Sequence, residues 1–265
     1  MSRYEHRAHG EWRSLLAGPD GRVNLVMAPW QNRISGSGFT FEGQTVSLDP
    51  NTSLDPFPVH GNAWLLPWEI VATAPDRLTL HLVSDGPSLY RYVAEAAFHL
   101  EDDGSLATVV TVTNTGPRLP FGLGFHPNFT RTPDVLLKAP ARTVTLQDAR
   151  YLPTETVASS LRPDWDFNRA QPIPSGSINN EFGGWTGVAD IAWPSWGVGC
   201  RLESPSVTRY LIYTPDTHAR FFSFEPITHS VDAFNRPNPT TEGGLAVLQA
   251  GERLSLTTVF RPHLL

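Results

Sequence analysis

The sequence predicts an all-β protein with a large antiparallel sheet system. Short alternating segments recur along the chain, turn residues separate them, and helical patterns are nearly absent. Of the 265 residues, 24 are proline and 21 are glycine. Because either residue is costly inside a helix, this content disfavours a helical bundle. Many strands at ~8–12-residue spacing favour a sandwich or a barrel.

Period-2 alternation and enrichment in Val, Thr and aromatic residues predict the individual strands. The clearest segments are residues 77–84, 106–113, 210–213, 220–225 and 254–260. Asp102-Asp103-Gly104 is typical of a hairpin turn between two such runs. Residues 154–161 are compatible with a turn or two of helix, and residues 162–176 with a long ordered loop. Nothing marks a boundary, so we expect a single domain over residues 1–265.

Composition excludes several function classes. The net charge is −6, Lys138 is the only lysine, and the arginines are scattered, so no nucleic-acid footprint is expected. No run of ~18 apolar residues suggests a membrane span, and the first ten residues have no apolar core typical of a signal peptide. We therefore expect a cytoplasmic protein. A single cysteine, Cys200, permits no internal disulfide and no cysteine-based zinc site.

The first candidate position is His60, which precedes Gly61 and lies close to Trp64 and Trp68. Aromatic faces stack on the apolar surface of sugars, and an imidazole supplies one donor and one acceptor. The segment therefore fits a sugar-binding wall. It also fits a turn histidine beside packed tryptophans.

The second candidate is His126, in the segment of residues 121–129. In a strand, Gly122, Gly124 and His126 share one face, while Phe125 points to the other. Glycine in a strand often marks the close approach of a ligand or of another backbone. We expect His126 to end a lane without side chains, with room for a ligand above it. A bend in a sheet is the alternative.

The third candidate is Glu225, in the aromatic strand of residues 220–226. Phe222 and Phe224 face one side of this strand and Glu225 faces the other. Burial would raise the pKa of this carboxyl group towards that of a useful general base. An ion pair with an arginine is the alternative.

In order along the chain, these segments resemble the aldose 1-epimerase, or galactose mutarotase-like, family. The resemblance covers about residues 20 to 262. Its segments are Asn32-Arg33-Ile34, Gly38-Phe39, Glu42-Gly43, His60-Gly61, Pro67-Trp68-Glu69, residues 124–129, Leu152-Pro153-Thr154, residues 182–187, Tyr213-Thr214-Pro215 and residues 224–228.

The resemblance implies a supersandwich, which is a large antiparallel β-sandwich, and interconversion of the α and β anomers of a free aldose without a cofactor or a metal. It assigns Glu225 as the base that takes the anomeric proton and His126 as the acid that protonates the ring oxygen. It gives His60 an assisting role and Arg33 the positioning of hydroxyls. We expect Glu225 and His126 to converge across a shared hollow, about one pyranose apart.

Three further residues complete the candidate sugar-binding set. Asn179 stands where many family members have an aspartate, which leaves the sugar preference open. Trp64 is a candidate wall of the cleft. His229 follows Glu225 closely in sequence, although a turn histidine is the alternative. The expected partner is a small-molecule sugar, with neither nucleic acid nor membrane, and the expected assembly is a monomer or a homodimer.

Three other functions remain open. A hexose-6-phosphate epimerase would need extra cations at the site, for which Arg131 and Arg236 are candidates. A non-catalytic carbohydrate-binding or sensor domain on the same fold is favoured by Asn179 and by the many aromatic residues. A glycoside hydrolase or lyase would normally need a second carboxylate ~5–9.5 Å from Glu225. Its candidates are Glu69, Asp190 and Asp232.

Overall fold

The computed structural model describes residues 3–216 and 218–265, and about half of these residues lie in the strands of antiparallel sheets. The described strands are β1 (Tyr4–Ala8), β2 (Glu11–Leu16), β3 (Asn24–Met27), β4 (Gly38–Phe41), β5 (Gln44–Ser47), β6 (Glu69–Ala74), β7 (Arg77–Ser84), β8 (Tyr92–Leu100), β9 (Leu106–Asn114), β10 (Leu119–Phe121), β11 (Gly124–Thr130), β12 (Leu136–Lys138), β13 (Thr143–Gln147), β14 (Pro153–Ala158), β15 (Gln171–Pro172), β16 (Ile178–Gly183), β17 (Val188–Trp193), β18 (Val198–Glu203), β19 (Arg209–Thr214), β20 (Phe221–Ile227), β21 (Ala246–Leu248) and β22 (Arg253–Leu264). Short 3₁₀ helices span Pro19–Gly21, Ser159–Leu161, Pro163–Trp165, Pro194–Trp196 and Ala233–Asn235.

Two nine-stranded sheets form the body of the described chain. The first, here called the site sheet, has the order β1-β2-β11-β20-β19-β16-β13-β14, and β3 also pairs with β11. The second, here called the backing sheet, has the order β15-β12-β17-β18-β22-β9-β8-β7-β6. Two small sheets, β4-β5 and β10-β21, accompany them. The architecture confirms the predicted all-β, large antiparallel sandwich.

Alternation along the strands joins the two sheets through an aromatic core. Phe129 of the site sheet lies 6.4 Å from Trp193 and 6.0 Å from Phe260 of the backing sheet, measured between ring centroids. All three side chains are buried. Because successive strand residues point to opposite faces, the neighbours of these aromatic residues on the site sheet point away from the core. That outer face is here called the cleft face.

The structure confirms most of the predicted elements. The five predicted strand segments fall on β7, β9, β19, β20 and β22, and residues 102–104 form the turn between the paired strands β8 and β9. The turn or two of helix considered for residues 154–161 is wrong for most of them. They form the edge strand β14 and then the 3₁₀ helix Ser159–Leu161.

The predicted long loop over residues 162–176 is partly ordered as regular structure. It contains a 3₁₀ helix and the short strand β15, which pairs with β12. None of the helices in the described chain has the length and apolar character needed to cross a bilayer.

Candidate active site

His126 and Glu225 meet on the cleft face, on the neighbouring strands β11 and β20. Asn128 pairs with Ser223, so the antiparallel register places His126 directly opposite Glu225. His126 Nε2 lies 3.2 Å from Glu225 Oε1. The two side chains converge as predicted, but the expected separation of about one pyranose is wrong. Side chains that face each other on adjacent strands touch, because the strands are only ~4.8 Å apart.

Burial shapes the electrostatics of this pair. The Glu225 side chain is 1% exposed, and its loss of solvation raises the pKa of the carboxyl group well above its ordinary value. Arg33 partly opposes this shift. Burial also lowers the pKa of His126 to about 4. A carboxylic acid beside a neutral imidazole is therefore favoured, and a single proton lies between the two groups. Such a pair can release a proton from one member while the other accepts one.

His60 lies edge-on to His126, with ring centroids 5.5 Å apart. The backbone N–H of Asn32 donates a hydrogen bond to His60 Nδ1 at 3.1 Å. Because Nδ1 is an acceptor here, the neutral ring carries its proton on Nε2. Burial, and then the charges of His126 and Arg33, lower the pKa of His60 well below its ordinary value. His60 is therefore an uncharged hydrogen-bond donor at neutral pH.

Arg33 is fixed at the cleft by Asp55. Its Nε and Nη2 atoms lie 2.7 Å and 2.6 Å from Asp55 Oδ2, and its guanidinium stacks 4.9 Å from the centroid of Tyr151. The pair is largely buried. Arg33 is therefore an oriented hydrogen-bond donor whose charge is already balanced.

These groups line a cavity of about 350 Å³, which is within the range of small-molecule sites. Trp64 forms part of its wall, with its ring 6.5 Å from His60. Asn179 lies on β16 beside Tyr213 of β19, and both line the cavity. Six of the seven predicted site residues therefore share one cleft: Arg33, His60, Trp64, His126, Asn179 and Glu225.

The seventh predicted residue, His229, lies outside this cleft. It is 1% exposed, its Nε2 accepts a hydrogen bond from the backbone N–H of Gln31, and its Nδ1 faces the carbonyl oxygen of Ser230. Its two ring nitrogens are thus used by the protein itself. His229 is therefore a structural residue, which agrees with the alternative of a turn histidine.

The predicted glycine lane beside His126 is also occupied by the protein. A Cβ atom at Gly122 would overlap the ring of His229, and one at Gly124 would lie 2.5 Å from Met27 Cε. The expectation of room for a ligand above these glycines is wrong. They permit the close approach of other side chains of the chain.

Sequence reasoning missed several residues of the cleft, of which three lie beside predicted site residues. Asp55 and Tyr151 hold Arg33, and Tyr213 lies opposite Asn179 on β19, the strand between β16 and β20. Tyr213 belongs to a segment that resembles the family, which was a usable signal. Nothing in the sequence links Asp55 to Arg33, because they lie 22 positions apart in irregular segments.

Residues named for the alternative functions lie elsewhere. Arg131 donates to the carbonyl oxygens of Asp216 and Pro174 and lines another cavity. Glu69 is exposed on β6. The other three named residues also do not line the cleft: Arg236, Asp190 and Asp232.

Comparisons with known proteins show the family of the chain. The sequence model of the family described as aldose 1-epimerase matches residues 12–261. The uncharacterized protein YphB of Escherichia coli K12 is 35% identical over 235 residues, which cover 85% of this chain and 79% of YphB.

Solved structures show the same likeness. A crystal structure of a candidate aldose 1-epimerase from Escherichia coli K12 is 33% identical, with a TM-score of 0.88, and the match covers 95% of this chain and 89% of that one. The aldose epimerase homologue of C. elegans shares the fold at 15% identity, with a TM-score of 0.84, and covers 100% of this chain and 93% of that one. With its family match over nearly the whole sequence, the chain belongs to the aldose 1-epimerase family.

Proposed function

We propose that this protein is an aldose 1-epimerase that interconverts the α and β anomers of a free, uncharged aldose. The observation behind the proposal is the buried contact of 3.2 Å between His126 Nε2 and Glu225 Oε1 in a sugar-sized cleft. In the anomeric unit, O1 and the ring oxygen O5 are bonded to the same carbon. An acid and a base acting on them must therefore lie close together.

The proton steps follow from this arrangement. Transfer of the carboxyl proton from Glu225 to His126 first gives a carboxylate beside an imidazolium. Glu225 then takes the proton of the O1 hydroxyl while His126 gives its proton to O5. The C1–O5 bond breaks and C1 becomes an aldehyde carbon. Rotation about C1–C2 presents the other face of the aldehyde, and the reverse transfers close the ring as the opposite anomer. Each positioned proton transfer contributes typically ~10²–10⁴ in rate.

The neighbouring residues suit this chemistry. His60 offers an uncharged Nε2–H donor beside His126. Arg33 can donate to sugar hydroxyls, since Asp55 holds its guanidinium in one orientation. Asn179 can both donate and accept, and Trp64 offers an apolar surface. We assign these four residues to binding and orientation of the sugar.

The cleft favours an uncharged sugar over a sugar phosphate. In the described chain its lining contains one cationic side chain, Arg33, and Asp55 neutralises that charge. The two arginines considered for a phosphate, Arg131 and Arg236, line other cavities. A phosphate dianion in the cleft would therefore be poorly balanced.

The cleft also disfavours glycoside hydrolysis. None of the three carboxylates considered as a partner of Glu225 lines it. Asp55 does, but it is bound to Arg33. A second free carboxylate, which hydrolysis normally requires, is thus missing from the described lining.

Polarimetry of freshly dissolved α-glucose and α-galactose tests the proposal. We expect the protein to accelerate mutarotation of at least one of them, and Glu225→Gln and His126→Gln each to lower kcat by about 10²–10⁴. Glu95→Gln, at an exposed position of β8, is the matched control and should keep full activity.

Two outcomes would contradict the proposal. One is full activity in Glu225→Gln. The other is sugar binding by calorimetry with no exchange between anomers by NMR, which would support the carbohydrate sensor instead.

A further inference from the structure

A second pocket lies on the cleft face, and arginine side chains dominate it. Its cavity is about 350 Å³. Its main polar residues are Arg142, Arg209, Arg236, Thr145, Glu181 and Ser230. We call it the arginine pocket. The proposed function uses none of these residues.

The arginine pocket is a neighbour of the cleft but is separate from it. Glu181 pairs with Leu211, and Leu211 pairs with Glu225, so the two pockets lie in one row across three strands. Leu211 belongs to a small buried apolar cluster with Met27, Ile227 and Val231. This cluster stands between the two pockets. A ligand in one pocket therefore does not reach the reacting groups of the other.

Both acidic residues of the arginine pocket accept hydrogen bonds from the protein itself. Glu181 accepts hydrogen bonds from Ser230 Oγ at 2.7 Å and from the backbone N–H of Val231 at 2.9 Å, and it lies 3.5 Å from Arg209 Nε. Glu242, the other acidic residue of the lining, accepts a hydrogen bond from Asn238. Arg209 also donates to the backbone carbonyl of Glu242.

Among the described residues, two of the three arginines of the pocket have no ion-pair partner, and with Glu181 and Glu242 the lining carries one net positive charge. In the part of the chain that the structure describes, Arg142 and Arg236 form no ion pair and no side-chain hydrogen bond. Two like charges beside one cavity repel each other unless an anion lies between them. The surrounding protein has a net charge of −6, so this local positive charge is not a general property of the chain.

Two glycines allow Thr143 and Arg142 of the pocket lining to lie close to the backbone. A Cβ atom at Gly183 would lie 2.8 Å from Thr143 Oγ1. Gly184 has a φ of +72°, and a Cβ atom there would overlap Nε of Arg142. The Arg142 side chain therefore lies across this glycine.

We propose that the arginine pocket binds the phosphoryl group of a small molecule, at a site distinct from the catalytic cleft. Guanidinium groups match the geometry of phosphate oxygens and can bind them in pairs. The hydroxyl groups of Thr143 and Thr145 can supply neutral donors. The site is independent of the proposed epimerase activity, since it uses other residues.

Calorimetric titration with inorganic phosphate at pH 7.5 and low salt tests the proposal. We expect saturable binding of phosphate and none of chloride at equal ionic strength. Arg142→Gln and Arg236→Gln should each weaken phosphate binding about tenfold, because each removes a charge-assisted hydrogen bond. Arg261→Gln is the matched control, since Arg261 lies on the backing sheet in an ion pair with Glu203, and it should leave binding unchanged.

A second titration separates this pocket from the cleft. Phosphate should bind with the same affinity in Glu225→Gln and in the presence of saturating galactose. The proposal is overturned if phosphate does not bind, if the two arginine variants bind it as the wild type does, or if galactose displaces it. Tighter binding of glycerol 3-phosphate than of inorganic phosphate would identify a phosphate ester as the ligand, and equal or weaker binding would identify free phosphate.

Discussion

His60 illustrates how backbone conformation sets the chemistry of one side chain. Its φ is +60°, in the left-handed region, and the following Gly61 also has a positive φ of 62°. This turn brings the imidazole back against Asn32, whose backbone N–H binds Nδ1. Residues held in sparsely populated conformations cluster at functional sites. Here the conformation leaves the Nε2–H group as the free donor of the ring.

The substitution His60→Asn should separate the structural and catalytic contributions of this residue. Asparagine tolerates a positive φ, and its Oδ1 can accept the hydrogen bond of Asn32. We expect the free energy of unfolding in urea to stay within about 1 kcal/mol of the wild type. The mutarotation rate should fall about tenfold or more, since the Nε2–H donor is lost. An unchanged rate would show that this donor does not contribute.

The reacting side chains of the cleft were easier to predict from the sequence than the residues that hold the cleft side chains in place. Strand alternation identified His126 and Glu225, because both follow aromatic residues that point to the core. Asp55 could not be found in this way, since it meets Arg33 only through the folding of two irregular segments. His229 was misplaced because its distance from Glu225 along the chain says nothing about the direction of its side chain.

At the scale of elements, the chain that follows β20 organises the cleft face. Residues 228–232 leave the strand and cross this face. The backbone N–H of Asp232 binds the carbonyl oxygen of Arg33, and Glu181 binds Ser230 and Val231. This segment therefore connects β16 to the loop that carries Arg33.

Removing the negative charge of Glu181 should loosen this connection. In Glu181→Gln, the amide nitrogen must face either the Ser230 hydroxyl or the Val231 N–H, so one donor loses its acceptor. We expect the free energy of unfolding to fall by about 1–3 kcal/mol. Urea denaturation checks this. Glu203→Gln, which breaks an exposed ion pair with Arg261, is the control and should change stability by less than about 1 kcal/mol. Equal stability of the two variants would contradict the inferred connection between Glu181 and the segment of residues 228–232.

The predicted elements succeeded where one face of a strand is buried. In β9, buried and half-buried residues alternate along the whole strand, so the period-2 pattern is complete. In β14 most residues are exposed, because this edge strand pairs with β13 alone. Without a buried face there is no alternation to detect, and residues 154–161 resembled a helical turn for that reason.

At the scale of the whole molecule, several titratable side chains are buried, and burial favours the uncharged form of each. Burial lowers the pKa of His126 and of His229 to about 4, and lowers that of His60 well below its ordinary value. These residues fold as neutral imidazoles, whereas the unfolded chain binds protons on them below pH ~6.5. The contribution of these histidines to stability therefore decreases as the pH falls from about 6.5 towards 4. The raised pKa of Glu225 opposes this trend, because its protonated form is the one favoured by burial.

His229 allows this linkage to be measured away from the coupled pair. A histidine with a folded-state pKa of about 4 contributes its full stabilisation above pH 6.5 and loses it as the pH falls through 4. Over that window the loss is about 3 kcal/mol. In His229→Gln this contribution is absent, so the free energy of unfolding should fall less steeply with decreasing pH. The difference between the two slopes should correspond to about one proton bound on unfolding. Urea denaturation at several pH values between 4.5 and 7 gives both slopes. Parallel pH dependences in the two proteins would mean that His229 takes up its proton in the native state as readily as in the unfolded chain, which its burial against Gln31 and Ser230 argues against.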